Sequence, residues 1–321
     1  MGGMKALEIL SPGPLTTVQD MGRLGFGRFG VPRSGAADPL SLRAANLLVG
    51  NREGDAGLEM TVIGARIKAL RNVAIAVTGA DLQPAINGLL MKMWRSHVLR
   101  KGDILSFKGR RSGCRAYLAI GGGICVPHVM GSRSTNLTAG FGGLGGRPLR
   151  GGDVLCCDSP GRHLTSTGKS LDSPPPICCS TNQRLRVIPG PQDHHFSIRT
   201  RDLFFSSLFR VTPQSDRAGI RLAGPPIKAL EGVDESILSE GVVPGAIQVP
   251  GDAQPIILLG ETATGGYRKI ATVISADLPL AAQLTPGNSV HFSAVSLDEA
   301  LEAARQTEEM LRRLRSLETD L

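Results

Sequence analysis

The chain has 321 residues, 41% hydrophobic and 20% charged, a balance typical of a folded protein and not of a disordered one. The formal net charge is +8, but the cations are scattered and aromatic residues make up only 4%, which argues against nucleic-acid binding. No apolar run approaches the ~20 residues that span a bilayer, so we expect no membrane segment and a cytoplasmic location.

Glycine and proline, with 41 and 21 residues, favour short strands joined by turns, so we expect a mostly β fold with a few helices. At this length two domains are expected. The six cysteines include the adjacent pairs Cys156–Cys157 and Cys178–Cys179, without a Cys-x-x-Cys motif. We therefore expect reduced thiols and no metal site.

Residues 1–160 form the expected N-terminal β-barrel domain, with strands predicted around Val73–Val77 and Arg115–Ile120. One helix is predicted where Asp38 can cap the first turn, Pro39 occupies the first helical position and Gly50 ends the helix.

The first dense polar stretch is TVQDMGRLGFGRFGVPRSGAADPLSLRAANLLVGN. It contains six glycines and continues into this helix. Glycine-rich loops let backbone amides approach a ligand, and an arginine can fork onto a carboxylate or phosphate. A structural turn with surface arginines explains the pattern equally well. The candidate binding residues here are Gln19, Asp20, Arg23, Ser34 and Asp38.

A second glycine-rich stretch, GGGICVPHVMGSRSTNLTAGFGGLGGRPLRGGD, lacks the Gly-Lys-Ser/Thr of a phosphate-binding Walker loop. Arg133, Ser134 and Thr135 can hold an anion here. The alternative is a long ordered loop whose hydroxyl groups cap turns.

Residues 161–183, which contain Pro174–Pro176, form the expected linker, and 184–321 form the second domain. Strands are predicted around Leu185–Ile188, Ile256–Leu259 and Ala271–Ile274. The capping box Ser296–Glu299 predicts a final helix. Its expected apolar face comprises Leu297, Leu301, Ala304, Leu311 and Leu314.

Three motifs of the second half carry polar residues: SDRAGIRL, SEGVVPGAIQVP and ETATGGYRKIATV. Together they supply an acid, an amide, a phenol and an amine, which suffice for proton transfer and polarisation. The expected catalytic residues are Asp216, Gln248, Tyr267 and Lys269, with Asp81 from the first half. The expected substrate-binding residues are Arg217, Glu240, Thr264, Gly265 and Gly266.

These motifs occur in one order over nearly the whole chain, together with ANLLVGN, LEMTVIG, VTGAD, RAYLAIGGGI and RVIPGPQ. In this the chain resembles the biotin-dependent carboxyltransferase-like family. That family includes the C-type subunits of 5-oxoprolinase, allophanate hydrolase subunit 2-type proteins and the carboxyltransferase domain of urea carboxylase.

The resemblance implies two cyclophilin-like β-barrel domains with the site in the cleft between them. It also implies that the chain is the C-type subunit of an ATP-dependent 5-oxoprolinase-type complex, with A-like and B-like subunits as its partners. This complex opens the lactam of 5-oxoproline to glutamate, with ATP as the cofactor in the complex.

Two other functions fit the resemblance. One is biotin-dependent carboxyl transfer to a urea-like amide, with Asp81, Gln248 and Lys269 as candidate groups, and biotin belongs to this alternative alone. The other is non-catalytic regulatory binding to a B-like partner. The chain departs from the family pattern before Gly265, where Glu261 replaces a cation, and after Tyr267, where Arg268 replaces the proline of Gly-Gly-Tyr-Pro.

Overall fold

A computed structural model of the protein describes residues 3–171, 181–234 and 236–316. Strands predominate in these ranges, which contain four α-helices, so the predicted mostly β fold is confirmed. Part of the predicted linker, 172–180, and with it Cys178–Cys179, lies outside the described residues. None of the helices described is both long and apolar enough to cross a membrane.

The chain divides into two compact units. The first comprises Met1–Arg23, Ser34–Ile177 and Glu309–Leu321, and the second comprises Leu24–Arg33 and Cys178–Glu308. Two short segments, Leu24–Arg33 and Glu309–Leu321, thus group with the unit that does not contain their neighbours in the sequence.

The first unit is built of two antiparallel sheets. The seven-stranded sheet has the order β11-β12-β1-β4-β9-β6-β7, and the five-stranded sheet has the order β2-β3-β10-β5-β8. The strands are β1 Met4–Ser11, β2 Thr16–Gln19, β3 Gly57–Thr61, β4 Arg66–Ala69, β5 Val73–Asp81, β6 Pro84–Ile86, β7 Leu89–Leu90, β8 Ser96–Leu99, β9 Ile104–Phe107, β10 Ser112–Ile120, β11 Ile124–Cys125 and β12 Val154–Cys157.

The five-stranded sheet is covered on both faces. Side chains on a strand alternate between its faces, so alternate residues join different cores. In β5, Val73, Ile75 and Val77 join a core with residues of the seven-stranded sheet. The intervening Ala74 and Ala76 pack with helix α1 (Pro39–Leu48). Small alanines on this face let the helix approach the sheet closely.

Helix α1 begins and ends as the sequence predicts. The Asp38 carboxylate accepts the Ser41 N–H (2.9 Å), Pro39 is the first helical residue, and Gly50 adopts a left-handed φ of 75° just after the helix ends. An N-cap carboxylate followed by proline is a standard signal for the start of a helix, and a left-handed glycine is a standard signal for its end.

The second unit contains a closed barrel with the order β13-β20-β17-β18-β15-β14-β21. Closure comes from parallel pairing of β13 with β21, and the separate β16 and β19 form a small ribbon. The strands are β13 Asn182–Pro189, β14 Phe209–Val211, β15 Gly219–Ala223, β16 Glu240–Gly241, β17 Ala246–Val249, β18 Ile256–Leu258, β19 Thr264–Gly265, β20 Arg268–Val273 and β21 Ser289–Ala294.

The remaining helices are α2 (Ile198–Ser206) and α3 (Leu278–Ala282), both of which the sequence prediction missed, and α4 (Leu297–Ser316). The capping box of α4 is confirmed: the Ser296 N–H donates to Glu299 (2.7 Å) and the Glu299 N–H to Ser296 Oγ (3.2 Å). Its predicted apolar face is correct only at the end, where Leu311 and Leu314 are buried, whereas Leu297 and Leu301 are exposed.

Candidate functional site

The Asp20 carboxylate lies at the centre of a hydrogen-bond network in the first unit. Its Oδ1 accepts the Gly22 N–H (2.8 Å) and the hydroxyls of Ser132 (2.7 Å) and Ser134 (2.5 Å), and its Oδ2 accepts the Arg133 N–H (2.5 Å). A carboxylate that is 7% exposed requires such donors, because an unsatisfied buried charge is costly. Asp20 and the loop around Ser134 therefore fix one another; we call this set the Asp20 network.

Arg23 is 2% exposed and joins the same loop. Its Nε donates to the carbonyl of Val129 (3.1 Å), its Nη2 donates to the carbonyl of Ser134, and its guanidinium lies 4.6 Å from the centre of the Phe141 ring. The Arg23 guanidinium, which the sequence analysis proposed as an anion-binding group, thus contacts backbone carbonyls and an aromatic ring.

The other predicted binding residues of the first unit also contact the loop. Gln19 donates to Thr17 Oγ1 (3.0 Å) and to the carbonyl of Thr135 (3.2 Å), while Thr135 donates to the carbonyl of Val18 (3.0 Å). The hydroxyl of Ser34 accepts from Asn136 (2.9 Å) and Arg133 Nε donates to the carbonyl of Val126 (3.1 Å). These contacts are those of an ordered loop.

Asp38 contributes to a second buried group that the sequence analysis missed. Its backbone N–H donates to the hydroxyl of Tyr117 (2.8 Å), and that hydroxyl donates to Glu59 (2.7 Å), which also accepts the Ala37 N–H (2.9 Å). Burial, followed by the Asp38 charge, raises the pKa of Tyr117 well above its usual value. Alternation along β3 and β10 gives no sign of Glu59 and Tyr117, because nearly every residue of these two strands is buried.

Two of the predicted catalytic acids cap turns. Asp81 accepts the Gln83 N–H (2.9 Å), and Asp216 accepts the N–H groups of Ala218 (2.8 Å) and Gly219 (3.1 Å). Asp81 lies in the first unit and Asp216 in the second. The hydrogen bonds described for both carboxylates thus hold local turns.

Glu261, the acidic departure from the family pattern, forms a buried ion pair with Arg217 of the SDRAGIRL motif. Arg217 Nη2 lies 3.1 Å and Nε 3.3 Å from Glu261 Oε1. Burial lowers the pKa of Arg217, and the Glu261 charge opposes that shift. The Glu261 carboxylate thus pairs with the Arg217 cation of the same unit, and this ion pair gives a structural explanation for an acidic residue at position 261.

Four side chains meet on the barrel of the second unit, and we call them the Lys269 cluster: Gln192, Glu240, Gln248 and Lys269. Lys269 Nζ lies 2.7 Å from Glu240 Oε1, and the Gln192 amide donates to the same oxygen (2.8 Å). Lys269 Nζ and Gln248 Nε2 also lie 3.5 and 3.4 Å from the carbonyl oxygen of Tyr267. The cluster therefore brings together three of the predicted site residues and the backbone of a fourth.

Strand pairing explains this arrangement. Gln248 in β17 stands directly opposite Lys269 in β20, so the two side chains share a face. Glu240 comes from the ribbon strand β16, which pairs with Gly265 in β19. Sequence analysis missed Gln192, which is the last residue of the RVIPGPQ motif.

Glycine at two positions makes the cluster possible. A Cβ on Gly265 would lie 2.1 Å from Gln248 Nε2, and one on Gly190 would lie 2.2 Å from the carbonyl oxygen of Lys269. Both distances are shorter than a Cβ atom can approach another heavy atom without a shift in the structure. Gly265 and its neighbours Thr264, Gly266 and Tyr267 are partly or largely exposed.

The charges of the cluster are unequal in their exposure. Lys269 is 4% exposed, whereas 44% of the Glu240 side chain is exposed. Hydrogen bonds from Lys269 first, and from Gln192 second, lower the pKa of Glu240. The pair places a carboxylate beside an ammonium group and is accessible from the carboxylate side. Among the described residues no group of three or more His, Cys, Asp and Glu side chains is arranged to hold a metal ion.

The predicted phosphate-binding donors do not fit ATP. Arg23, Arg133, Ser134 and Thr135 donate to groups within their own unit, and Arg217 and Lys269 each face a carboxylate. A nucleotide's phosphates need several donors with free hydrogen-bonding capacity. We derive no step of a reaction from ATP bound to these side chains.

The chain matches known proteins over most of its length. Residues 29–294 match the family model of the carboxyltransferase domain, subdomain A and B. The chain is 38% identical over 310 residues to the 5-oxoprolinase C subunit of Escherichia coli (strain K12), covering 96% of this chain and 97% of the relative. It is 35% identical to urea amidolyase of Lachancea kluyveri, covering 98% of this chain but 18% of that protein.

A solved structure shares the fold. The K. lactis urea amidolyase superposes with a TM-score of 0.89 at 32% identity, over 98% of this chain and 20% of that one. The chain thus corresponds to about a fifth of the urea amidolyase and to nearly all of the 5-oxoprolinase relative. On these matches, the protein belongs to the family of carboxyltransferase domains with subdomains A and B.

Proposed function

We propose that the protein is the C-type subunit of an ATP-dependent 5-oxoprolinase-type complex that opens 5-oxoproline to glutamate. The observation that carries the proposal is the match at 38% identity to a 5-oxoprolinase C subunit over 97% of that relative. The urea amidolyases contain this domain within chains about five times as long. The partners are A-like and B-like subunits of the same complex, and the protein acts in the cytoplasm.

The Lys269 cluster supplies groups that lactam opening requires. The reaction adds water to the ring carbonyl carbon and transfers a proton to the departing ring nitrogen. Glu240, ionised and accessible, accepts a proton from water, and the ammonium of Lys269, 2.7 Å away, donates one to the nitrogen. The Gln248 amide is directed toward the same group of atoms and can polarise a substrate carbonyl.

ATP, bound by a partner protein, would supply the activation of the lactam oxygen that opens the ring carbon to attack by water. Because the donors of this chain do not fit the phosphates, we place the nucleotide on the partner proteins. Lys269 and Glu240 then complete the reaction. This division explains why the chain is expected to be inactive alone.

The test is reconstitution with the products of neighbouring genes. We expect ATP-dependent glutamate release from the complete mixture and none when this chain is omitted. Glutamate release that is equal with and without the chain would contradict the proposal. Nucleotide photocrosslinking on the complete mixture should label a partner; labelling of this chain would overturn the placement of ATP.

The second candidate function is biotin-dependent carboxyl transfer to a urea-like amide. It is favoured by the TM-score of 0.89 with a urea amidolyase. Glu240 would accept the substrate's proton and Lys269 would stabilise the developing oxyanion. The discriminating assay supplies carboxylated biotin carrier and urea: product formation by the purified chain supports transfer, and its absence together with glutamate release supports the oxoprolinase.

A purely regulatory role predicts a third pattern. The chain would bind the B-like partner with unchanged affinity after Lys269→Met, and neither assay would give product that depends on the chain. Measuring partner affinity beside both activities therefore separates the three functions.

A further inference from the structure

Arg268 is the other departure from the family pattern, and it lies inside the second unit. The side chain is on β20, next to Lys269, and 3% exposed. Its Nε donates to Nδ1 of His195 (3.2 Å). Among the residues that the structure describes, this is its one hydrogen bond, and none of their carboxylates forms an ion pair with it.

The charge of Arg268 is not neutralised by its neighbour. Burial first, and the charges of His194 and Arg268 second, lower the pKa of His195. Because Nδ1 of His195 accepts the hydrogen bond from Arg268, the imidazole supplies no negative charge to it. The terminal nitrogens of Arg268 have no hydrogen-bond acceptor among the described residues, and they are not sealed from solvent, so an anion can reach them.

Strand alternation directs Arg268 away from the Lys269 cluster. Val249 stands opposite Arg268, just as Gln248 stands opposite Lys269, so the two pairs occupy opposite faces of β17 and β20. Arg268 and Val249 line a cavity of about 390 Å³ in the second unit. We call it the Arg268 pocket.

The rest of the pocket defines its ligand. Phe196, Ile227 and Val249 are buried apolar side chains of the lining, and Lys228 and Asp252 are exposed charged ones. The three charged side chains of the lining, two cations and one carboxylate, sum to a net charge of +1. That balance suits one negative charge, and Asp252 disfavours a second.

We propose that the Arg268 pocket binds a small monocarboxylate with a compact apolar body. The terminal nitrogens of Arg268 would take the carboxylate in a forked hydrogen bond, and the apolar lining would cover the remainder of the ligand. The binding site is distinct from the Lys269 cluster, on the other face of the same two strands. The proposal does not depend on the proposed function, since binding is a property of the isolated chain.

The experiment measures thermal unfolding of the purified chain at constant ionic strength with acetate, 5-oxoproline, 2-pyrrolidinone and inorganic phosphate as probes. We expect acetate or 5-oxoproline to raise Tm, by roughly 5 °C at about 100 times Kd. The uncharged 2-pyrrolidinone should give no shift. A larger rise with phosphate than with either carboxylate would overturn the assignment to a monocarboxylate.

Two variants test the pocket independently. Arg268→Gln removes the charge, and calorimetric titration should show Kd for the carboxylate raised roughly 10- to 100-fold. Ala229→Phe leaves Arg268 in place but fills the cavity, so it should remove the Tm response while the protein remains folded. Arg210→Gln, at an exposed arginine of the same barrel, is the matched control and should respond as the wild type does.

The overturning results are concrete. Equal carboxylate responses in the wild type and both pocket variants would place the binding elsewhere. No response of the wild type to either carboxylate, up to roughly 100 mM, would mean that Arg268 is neutralised within the protein and that the pocket takes no anion.

Discussion

The Asp20 network of the first unit and the Lys269 cluster of the second are both built from charged residues of dense motifs, yet they differ in how their hydrogen bonds are completed. The Asp20 carboxylate has four donors from within the protein and is 7% exposed. In the Lys269 cluster a buried ammonium faces a carboxylate whose side chain is 44% exposed. One arrangement is closed and the other is open.

The difference distinguishes a structural role from a chemical one. A carboxylate that accepts four hydrogen bonds has little capacity left for a ligand, so its value lies in fixing a loop. An accessible carboxylate held beside an ammonium retains the capacity to accept a proton from a ligand or water. The two groups should therefore respond differently to substitution: the first in stability, the second in activity.

The largest expected effect is on catalysis. Lys269→Met should lower kcat of the reconstituted complex about 10²- to 10⁴-fold, because the proton donor to the leaving nitrogen is lost. Tm should change little, since the Glu240 carboxylate left behind is accessible to water. Steady-state glutamate assays and differential scanning calorimetry measure the two effects. Lys68→Met, at an exposed lysine of β4, is the control and should keep full activity.

The comparison would break if Lys269→Met unfolded the protein or left kcat unchanged. Either result would move Lys269 into the structural group.

The next effect is on stability. Asp20→Asn replaces an acceptor oxygen by an amide that cannot accept the hydrogen bonds now made to the carboxylate, so buried donors lose their partner. We expect the free energy of unfolding to fall by about 2–4 kcal/mol, measured by urea titration. Asp216→Asn is the matched control: this exposed carboxylate caps a turn, and its replacement should cost less than about 1 kcal/mol. A similar fall in the free energy of unfolding at both positions would contradict the role of the Asp20 network in fixing the loop.

The sequence predicts the elements better than the site. Asp38 before Pro39 and the Ser296–Glu299 box mark helix starts through local hydrogen bonds, which sequence neighbours determine. The same is true of β-rich segments such as Val73–Val77. The inward face of α4 was mispredicted at Leu297 and Leu301 because the periodic pattern says which residues are apolar, not where another element covers them.

Residue type could not separate the two polar groups. Asp20 and Arg23 have the composition of an anion site, but their partners are more than a hundred positions away: the Ser134 hydroxyl donates to Asp20, and the Val129 carbonyl accepts from Arg23. Gln192 was missed for the same reason: it joins Glu240 across 48 positions. The family resemblance supplied the motifs, and the pairing of distant residues supplied their roles.

A smaller effect should come from the ribbon that holds Glu240. In Gly265→Ala the new methyl group would lie 2.1 Å from Gln248 Nε2 and must displace that amide. We expect kcat/KM to fall roughly 10-fold, as for loss of one polarising hydrogen bond, with Tm little changed. Gly241→Ala on the neighbouring strand is the control, because open space surrounds its Cβ position. Equal losses in both variants would assign the effect to the ribbon's backbone and not to Gln248.

The smallest expected effect is on stability at the open group. Glu240→Gln should lower the free energy of unfolding by at most about 1 kcal/mol at pH 7, because water screens an ion pair whose carboxylate is exposed. Lys269 and Gln192 lower the pKa of Glu240 in the folded state, so its contribution is complete above the unfolded value of about 4.3 and is lost as pH falls through the lower folded value. The difference in Tm between wild type and Glu240→Gln should therefore be constant from roughly pH 6 to 8 and vanish in acid. A cost above that of Asp20→Asn would reverse the assignment of open and closed groups, since it would make Glu240 the carboxylate that the fold depends on.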